Sequence, residues 1–212
     1  MSEAEANFNL EANLALAHEM LAACQYVRAQ EYFESVLAQA GNGQISLSKY
    51  LDCLFGLATA CCESGDFNRA EKASKLALST VQKQMGPKHH MTGSHLNNLA
   101  LVRLRQGRFK EAEQLLLEAI EIIEKFFESD HPELLKPLEN LGHTYQEQQQ
   151  TPKAVQSLER AISIRELHFG ATDPGIKFWK NVCKEMQAAA RKNQQKTKPK
   201  EKSEGVQLTL FG

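Results

Sequence analysis

The most constraining feature of this chain is a repeat period of 42 residues. Shifting Leu96 onto Leu138 places Asn98 on Asn140, Leu99 on Leu141, Ala112 on Ala154, Ala119 on Ala161 and Ile120 on Ile162. The same shift backwards sets Gly65 on Gly107, Phe67 on Phe109, Ala70 on Ala112 and Ala77 on Ala119. One further copy upstream needs a shift of 41, carrying Ala17 to Ala58, Tyr26 to Phe67 and Ala29 to Ala70. Four copies of one unit follow, and a period of this length marks a stacked array of supersecondary units.

Within a unit the apolar residues recur at helical spacing. Leu96, Leu99 and Ala100 sit at i, i+3, i+4, and Gln106-Gly107-Arg108 breaks the pattern before Phe109. A second stripe then runs through Ala112, Leu115, Leu116, Ala119, Ile120 and Ile123, so each unit reads as two amphipathic helices. Small residues recur at Ala58, Ala100 and Gly142, and at Ala70, Ala112 and Ala154. At such positions paired helices approach too closely for a larger side chain. Asp130 and Asp173 suit N-caps, and Pro132 and Pro174 suit the first turn, where a missing N–H costs nothing. The pattern predicts an all-α solenoid of four helix pairs over roughly 7–40, 49–83, 91–126 and 133–168. A capping helix is predicted over 174–190, closing a 1–190 array.

These residues resemble the tetratricopeptide repeat. Leu-Asn-Asn-Leu-Ala (96–100), Gln-Gly-Arg-Phe-Lys-Glu-Ala-Glu (106–113) and Asp-His-Pro (130–132), at this spacing, are similar to its kinesin-light-chain subtype. The fourth unit departs from the pattern, with Gln149 and Thr151 in place of the turn Gly and the aromatic. The resemblance implies a concave groove that takes extended peptides. Its groove-facing positions would be Asn97, Asn98, Leu101 and Arg105, then Lys136, Glu139, Asn140, His143 and Glu147. In similar proteins an Asn pair such as Asn98 and Asn140 clamps a peptide backbone, since an amide both donates and accepts. The same pair would serve equally to bridge neighbouring helices.

Composition narrows the function classes. The chain is 42% apolar and 24% charged with a net charge of −1, which speaks against whole-protein attraction to nucleic acid or membrane. No stretch reaches the ~20 apolar residues of a membrane span, and the acidic start, Met-Ser-Glu-Ala-Glu, lacks a secretory signal's basic flank. The five cysteines show no disulfide spacing and read as reduced, mostly buried thiols in a cytoplasmic protein. There is no phosphate loop, nucleophile elbow or His-Glu-x-x-His. His89-His90 aligns with His131-Pro132 as loop and cap residues, without metal-ligand partners. The expectation is a non-enzyme with no cofactor and no metal.

The character changes at Arg191. Between Arg191 and Gly205 six cations face two acids, and the only apolar residue is Pro199 until Val206. This predicts a disordered basic linker over 191–206, able at most to add weak attraction to nucleic acid. A short linear motif at 207–212 follows: Gln207, Leu208, Thr209, Leu210 and Phe211, then Gly212. The pentamer resembles the bacterial motif that docks on the β sliding clamp of DNA polymerase III. That resemblance makes Gln207 a polar anchor and Leu208, Leu210 and Phe211 apolar ones, with Thr209 replacing the usual Ser or Asp. The joint expectation is a bacterial adaptor linking a peptide or protein partner to the clamp in replication or repair. The alternative is a general or chaperone-like scaffold whose tail is autoinhibitory or meets an unrelated partner.

Overall fold

A computed structural model describes residues 3–40 and 45–197. The described residues form nine α-helices and one 3-10 turn, with no strand. The helices are α1 (Glu3–Ala22), α2 (Tyr26–Ala40), α3 (Leu47–Glu63), α4 (Phe67–Met85), α5 (His90–Arg105), α6 (Phe109–Phe126), α7 (Leu135–Glu147), α8 (Thr151–Phe169) and α9 (Pro174–Thr197). The turn, Pro132–Leu134, leads into α7. Each helix packs on the next in sequence. First helices of successive repeats also touch, α1 with α3, α3 with α5 and α5 with α7, whereas second helices make no comparable contact. Unequal spacing of this kind bends the stack so that the first helices line its inner face.

The turn inside each repeat is one motif repeated four times. Cys24, Gly65, Gly107 and Gln149 all have positive φ, from 57° to 84°. In each, the following amide closes a 2.8 Å bond onto a carbonyl five residues back: Gln25 to Met20, Asp66 to Cys61, Arg108 to Arg103, Gln150 to Tyr145. These left-handed residues end the first helices and satisfy their last carbonyls. The second helices start on varied caps, of which Asp66 accepts the Arg69 amide at 3.1 Å.

The first helices of the third and fourth repeats start on a histidine device, whereas α3 starts on Ser46, whose hydroxyl accepts the Lys49 amide at 3.4 Å. His89 Nδ1 accepts the Met91 amide and His131 Nδ1 accepts the Glu133 amide, at 3.3 and 3.2 Å. The cap before α7 is therefore His131, not Asp130. Asp130 instead offers its carbonyl to His168 Nε2 at 2.9 Å, because Pro132 opens a 3-10 turn and His131 is the residue before it.

The core consists of two adjoining clusters. One joins Leu10, Phe33, Leu54 and Val81; the other runs from Ala100 through Leu116, Ile123 and Leu158 to Met186. Ala70, Ala100, Ala112 and Ala154 have no exposed surface. A polar rung recurs at each internal junction of the stack. Gln30 donates to Ser64 at 2.8 Å, Gln106 to Glu71 at 3.3 Å and Gln148 to Glu113 at 3.0 Å.

Helix α9 closes the array. It buries Ile176, Cys183 and Met186, while Trp179 Nε1 donates to Glu139 at 2.8 Å. One repeat earlier, the residues that meet a partner helix are Leu138, Gly142 and Tyr145; in α9 their places hold Lys180, Lys184 and Gln187, all exposed. Polar residues there make α9 a terminus. The helix extends to Thr197, seven residues beyond its predicted end at 190. Its last turns, Arg-Lys-Asn-Gln-Gln-Lys-Thr, contain no helix breaker, and Pro199 is the first.

Candidate protein-binding groove

The inner face is built from first-helix positions that recur with the repeat. His18, Thr59, Leu101 and His143 are equivalent, as are Glu63, Arg105 and Glu147. Between α3 and α5 these positions enclose a recess of about 110 Å³. Phe55, Thr59 and Cys62 form one wall, Leu101 and Arg105 the other, with Ala58 and Val102 at the floor. Phe55 is 41% exposed, an aromatic held at the mouth of an apolar hollow. A charged pair crosses the rim, Arg105 Nη2 to Glu63 Oε1 at 2.8 Å. An apolar hollow with a polar rim suits insertion of one apolar side chain from an extended segment.

Of the residues expected to face the groove, Arg105, Lys136 and His143 are exposed, Leu101 is half-buried, and Asn98 and Asn140 are half-buried. Asn97 is buried. Its Oδ1 accepts from Asn140 at 2.8 Å and its Nδ2 donates to Asn98 at 3.4 Å. Adjacent residues on a helix point about 100° apart, so Asn97 and Asn98 cannot share one face, and Asn97 turns toward α7. The three amides bridge α5 and α7 beside an open recess lined by Ser94, Glu133 and Lys136. Asn98 lines both this recess and the one between α3 and α5.

Glu139 departs from the expectation. It is buried, and takes Arg165 through Nη2 and Nε at 2.6 and 3.1 Å as well as Trp179. It fastens the cap and does not face a ligand. Glu147 lies 3.7 Å from His143 along the same helix, and both are exposed. His18 meets Asp52 at 2.8 Å with its ring edge on Phe33. Sequence reasoning did not single out Phe55, Thr59 or Cys62. Moving Leu101 and Arg105 back by 42 residues gives Thr59 and Glu63, the signal that would have found this wall.

Three of the five thiols are held in the protonated form by burial. Burial pushes Cys53 up to about 12 and Cys61 and Cys62 up to about 11, so all three stay protonated near neutral pH and are poor nucleophiles. Among the described residues no three His, Cys, Asp or Glu side chains converge as metal ligands would, and no helix is long and apolar enough to cross a membrane. Gln207 to Phe211 lie outside the described residues.

The profile described as tetratricopeptide repeat matches residues 50–125 and 91–166, together more than half the chain. Among solved structures, the nearly identical, kinesin-light-chain-type TPR-like repeats of a Podosopora anserina protein are similar at 23% identity and a TM-score of 0.69. That match covers 88% of this chain and 89% of the other. BtubC from P. vanneervenii matches at 18% identity and 0.63, covering 89% and 91%. A Rap protein solved with competence and sporulation factor matches at 17% and 0.63, covering 92% of this chain and 56% of its own. At these identities the likeness is one of fold. No curated protein matches the sequence.

Proposed function

The chain belongs to the tetratricopeptide repeat family, and from that premise we propose that it is a non-enzymatic adaptor with two docking elements. The groove takes an extended segment of a protein partner. The Gln207–Phe211 segment docks on the β sliding clamp of a bacterial DNA polymerase III, placing the partner at sites of replication or repair. The recess under Phe55 and Leu101 is the observation that carries the groove half. Its volume fits a single apolar side chain, and the Arg105–Glu63 pair and the Asn98 amide line it with groups able to hold a backbone. The clamp half rests on the sequence Gln-Leu-Thr-Leu-Phe. Joining the two elements in one chain raises the partner's effective concentration at the clamp without any new contact.

Two measurements test the halves separately. A labelled 196–212 peptide titrated against purified β clamp is expected to saturate and to lose binding when Gln207→Ala and Phe211→Ala are combined. An unsaturable signal, or one indifferent to those changes, sinks the clamp half. For the groove, proteins other than the clamp that the full chain captures from a bacterial lysate are expected to be lost in Leu101→Lys and kept when 205–212 is deleted. Capture that rises on that deletion supports the second reading, a scaffold whose own apolar tail occupies the recess.

A further inference from the structure

Charge is unevenly divided along the chain. From Pro174 onward nine Lys and Arg stand against three Glu, a net +6, which leaves −7 on the preceding residues. The cations described in α9 are not scattered around the helix. At 100° per residue, five of the six cations on α9, Lys177, Lys180, Lys184, Arg191 and Lys192, fall within an arc of about 120°, and they extend over about 22 Å of helix axis. All five are exposed. The arc contains no acidic residue; Glu185 lies just outside it. Among the described residues one of the five has a carboxylate partner, Lys180 with Glu166 at 2.7 Å, where both groups are exposed and the pair is readily exchanged. The opposite side of α9, with Ile176, Cys183 and Met186, is buried against the array. The basic arc therefore faces away from the protein.

We infer that this outer face of α9 is a docking surface for the phosphate backbone of duplex DNA. A rigid row of like charges matches a regular linear polyanion, which carries one charge per ~1.7 Å of axis. The arc holds no aromatic side chain, so it lacks the stacking platforms that grip unpaired bases. A lipid surface fits less well, because an interfacial helix must insert an apolar face and that of α9 is covered by the array apart from Phe178. The basic residues that follow, Lys196, Lys198, Lys200 and Lys202, extend the same charge toward the clamp-type motif. The affinity for a polyanion stands independently of the clamp reading; the choice of DNA as the polyanion rests on it. Binding is sequence-independent and weak, and it would hold the array along the duplex that a clamp encircles.

The test is fluorescence anisotropy of ~30-bp duplexes of two unrelated sequences with the full chain, from about 50 to about 200 mM salt. The expected result is equal affinity for both sequences and a log–log salt slope of about −4 or steeper, near −0.9 for each phosphate neutralised. Combining Lys177→Gln, Lys180→Gln, Lys184→Gln and Arg191→Gln should weaken binding at least about tenfold and flatten the slope by about 3. Arginine at the first three positions should keep it, and the Gln207→Ala, Phe211→Ala chain should bind duplex like the parent even if clamp binding is lost. Helicity by circular dichroism confirms that the exposed Gln variant is folded. The inference is overturned by absent binding at the lowest salt, by an unchanged slope in the Gln variant, or by tighter binding to vesicles of phosphatidylserine and phosphatidylcholine than to duplex.

Discussion

Arg103 on α5 grips the carboxylate of Glu71 on α4 with both terminal nitrogens, Nη2 to Oε1 at 2.8 Å and Nη1 to Oε2. Arg103 is 5% exposed, and Glu71 also takes Lys75 at 2.6 Å and Gln106. The pair thus sits across the junction of the second and third repeats. Removing Arg103, the buried member, leaves the half-buried Glu71 carboxylate to Lys75 and Gln106. Arg103→Met is expected to destabilise the protein by about 1–2 kcal/mol, read as a lower urea midpoint. A loss under about 0.5 kcal/mol would show the pair to be a surface pair in effect.

The same contact sets a pH dependence. Arg103, and then Lys75, hold the Glu71 carboxyl well below the usual carboxylate range. A folded value below the unfolded one means the unfolded chain binds more protons. The stabilisation is therefore complete above the unfolded value, ~4.3, and is lost progressively as the pH falls below it. Urea midpoints measured from about pH 7 down to about pH 3 should fall less steeply at the acid end in Glu71→Gln than in the parent. Parallel curves would refute the assignment.

Gln149 holds φ at 59° in the turn where two other repeats use glycine. A side chain in that conformation is strained by about 1 kcal/mol. Gln149→Gly should raise stability by about 0.5–1 kcal/mol, and Gly107→Ala should lower it by a similar amount. Opposite signs in thermal melts are the diagnostic result.

Gly56 is required for packing, not for its backbone. A Cβ added there would lie 2.2 Å from Cζ of Phe33, a ring with no exposed surface. Gly56→Ala is expected to cost about 1–3 kcal/mol, and pairing it with Phe33→Leu should recover part of that loss. Chemical denaturation of the two single variants and the double one measures the coupling.

Thiol labelling separates the cysteines. Cys24 is exposed, whereas Cys53, Cys61 and Cys183 are buried. With Cys53 pushed up to about 12 and Cys61 to about 11, their thiolate fraction near neutral pH is at least about a hundredfold below that of an ordinary thiol. Maleimide in native buffer should give one fast adduct by mass spectrometry, at Cys24. Rapid modification of Cys53 or Cys61 would mean the first two repeats open locally.

The repeat, the helix pairs and the small residues between them were legible because each depends on spacing along the chain, and periodic burial writes itself into sequence as a period. What was not legible is which polar residues a tertiary contact removes from the surface. Asn97 and Glu139 look like any polar residue on a first helix, yet one is turned into the α5–α7 contact and the other is covered once α9 docks and supplies Trp179. The wall made by Phe55, Thr59 and Cys62 was missed for a related reason. A half-exposed aromatic and a half-buried thiol fit the apolar stripe of a core helix, and only the stacking of α5 beside α3 leaves a hollow between them.

The rungs from Gln30 to Ser64, Gln106 to Glu71 and Gln148 to Glu113 have a consequence for how such a chain can change length. Each uses a side chain from the second helix of one unit and the end of the first helix of the next, so every internal joint sets a polar pair at the same two repeat positions, Gln with Ser at the first and Glu with Gln at the other two. A 42-residue block removed or inserted in phase would meet a matching half on either side, while one out of phase would not. The groove can thus grow or shrink by whole units, as links are added to a chain, with α9 remaining the end piece.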